Sequence, residues 1–193
     1  MTQPVEHPIG FTVDDDLRRS RVTVFFRYLL AVPHFVVLAL WGILVYIVWV
    51  LAWFVALFMG RLPDGMHGFM ASYLRYSTHV NAYLLLLGNP FPAFGGNASY
   101  AVDVHIAAAA KQGRLTVFFR FLLAIPAILL TYVFGLVNRV IAVISWFQAL
   151  FTGRVNEGMR DLSIWLLRYE TQTQGYLMLL TSRYPSLSGS PKV

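Results

Sequence analysis

The chain has 193 residues and a formal net charge of +6, enough for one ordinary domain or two small ones. Apolar residues make up 58% of it and charged residues 12%, against roughly 45–50% and about 25% in soluble globular domains. So few charges cannot coat a soluble particle, so the composition excludes an ordinary soluble domain and a disordered chain and points to a bilayer as solvent.

In chain order, the first twenty residues are polar, with an acidic run at Asp14, Asp15 and Asp16, and no cleavable signal peptide is expected. Ile9–Val13 alternates with the period of a β-strand. Val22–Met59 is a continuous apolar stretch of 38 residues. Met66–Leu87 is amphipathic, with apolar positions 66, 70, 73, 80, 84 and 87 forming one helical stripe. Asp64 stands just before it, where a carboxylate favours a helix N-terminus. A linker, 93–112, holds Gly95-Gly96-Asn97 and a second alternating stretch, Tyr100–Ile106, able to pair with the first as a short β-ribbon outside the membrane. A second apolar stretch, Leu115–Thr152, and a second amphipathic one, Met159–Leu180 preceded by Glu157, follow. The tail 186–193 is rich in Ser, Pro and Gly and is expected to fray.

This order is a duplication. Arg21-Val-Thr-Val-Phe-Phe-Arg27 returns as Arg114-Leu-Thr-Val-Phe-Phe-Arg120, 93 residues later. The offset then holds without a gap through Pro33/Pro126, Gly42/Gly135, Trp53/Trp146, Gly60-Arg61/Gly153-Arg154, Arg75-Tyr76/Arg168-Tyr169, Tyr83/Tyr176 and Pro92/Pro185. Between 21–92 and 114–185 there are 30 identities in 72 positions. Shared apolarity alone would not align arginines, glycines and prolines. The organisation expected is a first repeat over 1–92, the linker, a second repeat over 113–185 and the tail, all in one membrane domain.

As one helix, 38 residues would extend roughly 57 Å, nearly twice a hydrocarbon core of about 30 Å. Either the first turns lie in the interface before a single span, or the stretch is a hairpin of two short spans turning near Gly42 and Gly135. The arginines favour the hairpin. It gathers Arg18, Arg19, Arg21, Arg27 and Arg61, and their counterparts, on one face, as the positive-inside rule prefers. It also places Arg139 near the outer turn rather than at mid-bilayer. The expected fold is thus an all-α integral membrane protein of tandem transmembrane hairpins, each followed by an amphipathic interfacial helix. The expected topology is multi-pass in the cell membrane with both termini cytoplasmic.

Residue types kept in both copies nominate the functional candidates. Arg27, Arg61, Arg75, Arg120, Arg154 and Arg168 are rigid bidentate donors suited to anionic lipid headgroups. Trp53, Tyr76, Tyr83, Trp146, Tyr169 and Tyr176 have the character of interfacial anchors. Catalytic chemistry is thin. The five histidines have no histidine counterparts in the other copy, and neither apolar stretch contains an acidic residue. No cofactor or metal is expected, and no nucleic acid. The expected partners are membrane lipids and either another membrane protein or a second copy of the chain. The reading favoured is a non-catalytic accessory or scaffold protein. A small lipid or solute transporter built from two repeats is the alternative.

The quoted motifs carry a resemblance. Ser20-Arg-Val-Thr-Val-Phe-Phe-Arg27, Ala-Val-Pro33, Trp53-Phe54, Phe58-Met-Gly-Arg61, Arg75-Tyr76 and Ala-Tyr83, with their second copies through Arg183-Tyr-Pro185, resemble domain-of-unknown-function family 4389. The resemblance covers nearly the whole chain and implies a bacterial integral membrane protein. It implies no activity, cofactor or catalytic residue. The first copy departs from the second at Asn89-Pro90-Phe91.

Overall fold

Each repeat folds as a strand, a long apolar helix and a shorter polar helix. The computed structural model describes residues 7–188, so most of the tail expected to fray lies outside the described residues. The elements are β1 (Ile9–Val13), α1 (Arg21–Met59), α2 (Asp64–Leu84), β2 (Val102–Ile106), α3 (Arg114–Phe118), α4 (Arg120–Thr152) and α5 (Glu157–Leu177). The β-ribbon expected from the two alternating stretches forms, with β1 antiparallel to β2.

The hairpins turning at Gly42 and Gly135 do not form. α1 runs unbroken for 39 residues, about 58 Å, and α4 for 33, about 50 Å. Gly42 sits in Leu40-Trp-Gly-Ile-Leu44 with no second turn residue beside it, so staying helical keeps its neighbours' backbone groups paired. Pro33 and Pro126 likewise lie inside continuous helix. The reversals come instead at Gly60 and Gly153. Both are left-handed C-cap residues (φ 70° and 73°), and both amides bond four residues back, to Ala56 and Ala149. Pro63 then opens α2, and the Asn156 side chain caps α5 by accepting from the Met159 amide.

The amphipathic segments are helices, starting and ending slightly earlier than predicted. Leu86 and Leu179, with φ near 60°, terminate them. Protein packs around both. α2 and α5 form the buried centre: α2 packs on α1, α5 on α4, the two pack on each other, and the ribbon covers a further side of the pair. Ile9, Phe11, Val13, Val102 and Val104 enter a common core with Met70, Leu74, Ile164 and Leu167. The helical stripe expected from the sequence forms, and protein packs against it.

A pseudo-twofold axis relates the halves, and counterparts meet across it. Phe11 pairs with Val104 at the centre of the ribbon, and Thr78 Oγ1 lies 3.3 Å from Thr171 Oγ1 where α2 crosses α5. The ends of the long helices interlock reciprocally. Trp146 Nε1 donates to the Val24 carbonyl (2.9 Å), and Trp53 Nε1 to the Val117 carbonyl (3.2 Å). The beginning of α1 therefore lies beside the end of α4, and the end of α1 beside α3. The long helices run antiparallel, with the axis passing between them near their midpoints.

Candidate functional site

The largest surface feature is apolar. Both long helices are long and apolar enough to cross a membrane, and only 11% and 17% of their most apolar windows are buried. On α1, Phe25, Leu29, Val36, Leu40, Ile43, Ile47 and Phe58 stand exposed along one broad face, and α4 repeats this with Leu122, Leu129, Val133, Val140 and Phe151. Arginines mark the ends: Arg21 and Arg61 on α1, Arg114 and Arg154 on the second copy, all exposed. Arg61 pairs with Asp64 at 2.7 Å.

Arg27 and Arg120 are not at the surface. They are 0% and 1% exposed, so the expected reach to headgroups is replaced by an internal role. Arg27 donates to the carbonyls of Tyr83 (2.6 Å) and Gly88 (3.1 Å) and lies 4.2 Å over the Tyr83 ring. Arg120 repeats this with Tyr176 and Thr181, its carbon 4.4 Å over the Tyr176 ring, and gains Gln112 Oε1. The cations satisfy carbonyls at the C-terminal ends of α2 and α5, where free acceptors and the helix dipole both favour positive charge.

The tyrosines expected as anchors are also internal. Tyr76, Tyr83, Tyr169 and Tyr176 are all at most 2% exposed. Burial pushes the Tyr76 hydroxyl up to about 12, and its partner is His34 Nδ1 at 2.6 Å. Trp53 and Trp146 are half-buried and hold the helix ends together. An aromatic seven-residue spacing fits an interfacial belt or a packed helix face equally well, and the packed face is what forms.

Arg75 and Arg168 turn toward the ribbon side of α2 and α5, and there the copies differ. Arg75 Nε donates to the Val104 carbonyl (2.9 Å) and Nη1 to the Gly96 carbonyl (3.1 Å), with the Asp103 carboxylate 3.4 Å away. Asp103 also receives the Val104 amide (2.8 Å) and His79 Nε2 (3.0 Å). Burial lowers the His79 pKa, with Asp103 opposing. A cleft of about 340 Å³ opens beside Arg75, lined by His67, Ser72 and Gly96 among others. Gly96 has to be glycine, because a Cβ there would stand 2.0 Å from the Ser72 carbonyl oxygen.

Arg168 is 6% exposed, and among the described residues only its Nη1 has an acceptor, the Ser188 carbonyl at 3.2 Å. Nε and Nη2 are buried with no hydrogen-bond partner. Burial lowers its pKa. Among the described residues, no three His, Asp or Glu groups converge as a metal site.

Neither a curated protein nor a solved structure matches the chain. The sequence model of one family matches twice, over residues 21–95 and 114–188. These are the two halves that the axis relates, and together they take in most of the chain. It belongs to the family described as domain of unknown function (DUF4389), of which it carries two tandem copies.

Proposed function

We propose that the protein is a non-catalytic membrane scaffold or accessory subunit whose two long helices lie in the plane of one leaflet. The observation that carries this reading is the unpartnered apolar face of α1 and α4, bounded by exposed arginines at both ends of each helix. Length argues against crossing. About 58 Å of α1 would need to fit a hydrocarbon core of about 30 Å. Symmetry argues further. The axis passes between the long helices near their middles and continues through the centre of the ribbon, so spanning helices would hold the ribbon at mid-bilayer depth. Its open edges and the exposed His105 would then face hydrocarbon, where unpaired strand edges are not tolerated. Arg139, exposed midway along α4, would sit there too.

With the axis along the membrane normal these conflicts vanish. The apolar faces enter the acyl region, Arg21, Arg61, Arg114 and Arg154 lie at headgroup level, and the ribbon faces water. Both repeats then have the same orientation, as an accessory protein presenting one polar face to a neighbouring membrane protein requires. Basic residues near an anionic surface contribute about 1 kcal/mol each.

Vesicle flotation tests the reading. Wild type should float with phosphatidylglycerol vesicles and resist carbonate extraction. Changing Arg21, Arg61, Arg114 and Arg154 together to Gln should weaken binding to anionic vesicles while leaving zwitterionic binding unchanged. Mild purification with mass spectrometry should recover a stoichiometric membrane-protein partner. Solute movement by the isolated chain in liposomes would reject the scaffold reading in favour of a carrier.

A further inference from the structure

The two halves serve as each other's control at Arg75 and Arg168. In the first half the buried side of the guanidinium is matched by a carboxylate, Asp103, which also receives the Val104 amide. The strand pairing is centred on Phe11 and Val104, so the residue in the second half at the place of Asp103 is Gly10. Gly10 has no carboxylate, and a Cβ built there meets nothing within 4 Å. His79, the other group on Asp103, is likewise replaced by Gln172, which donates to the Ile9 carbonyl (3.0 Å) and receives the Ser186 amide (3.0 Å). The second half therefore keeps the cation, with two donors unmet, but not the carboxylate that the first half sets against it.

The free donors are the right pair. Nε and Nη2 form one edge of the guanidinium plane, two parallel N–H groups that match the oxygens of a single carboxylate or phosphate. A buried guanidinium left with unmet donors costs free energy that a bound anion recovers. Beside the site, the segment 185–188 is tied to α5 by Trp165 Nε1 to the Leu187 carbonyl (3.2 Å), the Ser186 amide to Gln172 Oε1 (3.0 Å) and Arg168 Nη1 to the Ser188 carbonyl (3.2 Å).

We propose that Arg168, with the open position over Gly10, binds one oxyanionic group, a carboxylate or phosphate, supplied from the aqueous side. The site lies on the ribbon face of α5, whereas the neighbouring Tyr169 faces Phe134 on α4. A soluble ligand therefore reaches it more directly than a lipid held at the α1 and α4 face. The inference stands apart from the in-plane membrane reading, since it requires only the fold.

The test is thermal unfolding of the full chain in a neutral detergent, titrated with inorganic phosphate and with acetate at constant ionic strength. Wild type should show a saturable rise of roughly 5 °C at about a hundred times the Kd, with chloride inert. Gly10→Asp installs the missing carboxylate. It should raise the midpoint without ligand and abolish the response to either anion. Arg168→Gln should also abolish the response, and Arg75→Gln should leave it intact. Where Arg168→Gln fails to fold, Gly10→Asp alone decides. An identical response from wild type and Gly10→Asp, or no saturable response from wild type, would overturn the proposal. Stabilisation by phosphatidylglycerol micelles but by neither soluble anion would assign the site to lipid and overturn the aqueous source. Vesicle flotation of Gly10→Asp should match wild type, which separates this result from the membrane reading.

Discussion

Replacing Arg27 with Met removes the tie between the start of α1 and the end of α2 while keeping a long unbranched side chain in the same space. Two charge-assisted bonds are lost, to the carbonyls of Tyr83 and Gly88, together with the stacking on the Tyr83 ring. Each carbonyl left unpaired in the interior costs about 1–3 kcal/mol, and a desolvated cation–π contact adds about 2 kcal/mol. The arginine's own desolvation penalty, which Met does not incur, offsets part of this. The net expectation is a loss of about 3–4 kcal/mol, a large share of a typical total of about 5–15 kcal/mol. Arg61→Gln is the comparison. Its ion pair with Asp64 is exposed, with side chains 50% and 79% accessible, and such pairs contribute about 0–1 kcal/mol. Unfolding in mixed micelles by increasing mole fraction of sodium dodecyl sulfate, followed by tryptophan fluorescence, measures both variants. Arg120→Met should cost as much as Arg27→Met. A loss below about 1 kcal/mol for Arg27→Met, or one no larger than that of Arg61→Gln, would refute the assignment of these arginines to the interior.

Gly135→Ala should be neutral or stabilise by up to about 1 kcal/mol, because its Cβ meets open space inside a helix, whereas Gly42→Ala should gain less because its Cβ would stand 3.1 Å from the Tyr73 hydroxyl; the same unfolding assay compares them. Burial raises the Glu170 pKa from its ordinary 4.5, with Arg139 opposing, so the ionised form is disfavoured in the fold. Glu170→Gln should therefore raise the unfolding midpoint at neutral pH, and the gain should disappear as pH falls below 4.5, where the unfolded carboxyl is itself protonated. His79 has the opposite sense. Its folded pKa lies below 6.5, so the stability it contributes is complete above 6.5 and is lost as pH falls through the folded value. His79→Gln should flatten that acid limb of the midpoint against pH.

Much of this architecture was legible because the chain is duplicated. The offset of 93 located both long helices and both short ones, and alternation located the two strands that pair about the axis. The turns were misplaced because Gly42 and Gly135 divide the apolar stretches evenly. Gly60 and Gly153, already followed by Arg, were the C-caps. Burial was the harder quantity. An arginine in an apolar helix looks like a topology signal, and nothing local says that Arg27 faces the end of α2. The usable signal was joint retention of Arg27 with Tyr83 and of Arg120 with Tyr176, the same separation of 56 residues in both copies. The difference at Arg168 was hidden for another reason. β1 and β2 share no identical residues at that offset, so no residue marked the offset of 93 as extending to Gly10 and Asp103 until the strand register showed it.

The depth profile of α1 tests the in-plane arrangement most directly. The chain has no cysteine, so single cysteines introduced at Leu29, Val36, Ile43 and Val50, all on exposed helix positions, accept spin labels without background. Successive sites are about 10.5 Å apart along the helix. Relative accessibility to oxygen and to a water-soluble nickel chelate in phosphatidylglycerol-containing vesicles reports the depth of each. The in-plane account predicts four depths that agree within a few ångströms, all near the boundary between headgroups and acyl chains. A profile deepest between Val36 and Ile43 and shallow toward both ends would mean that α1 crosses the bilayer, and would contradict it.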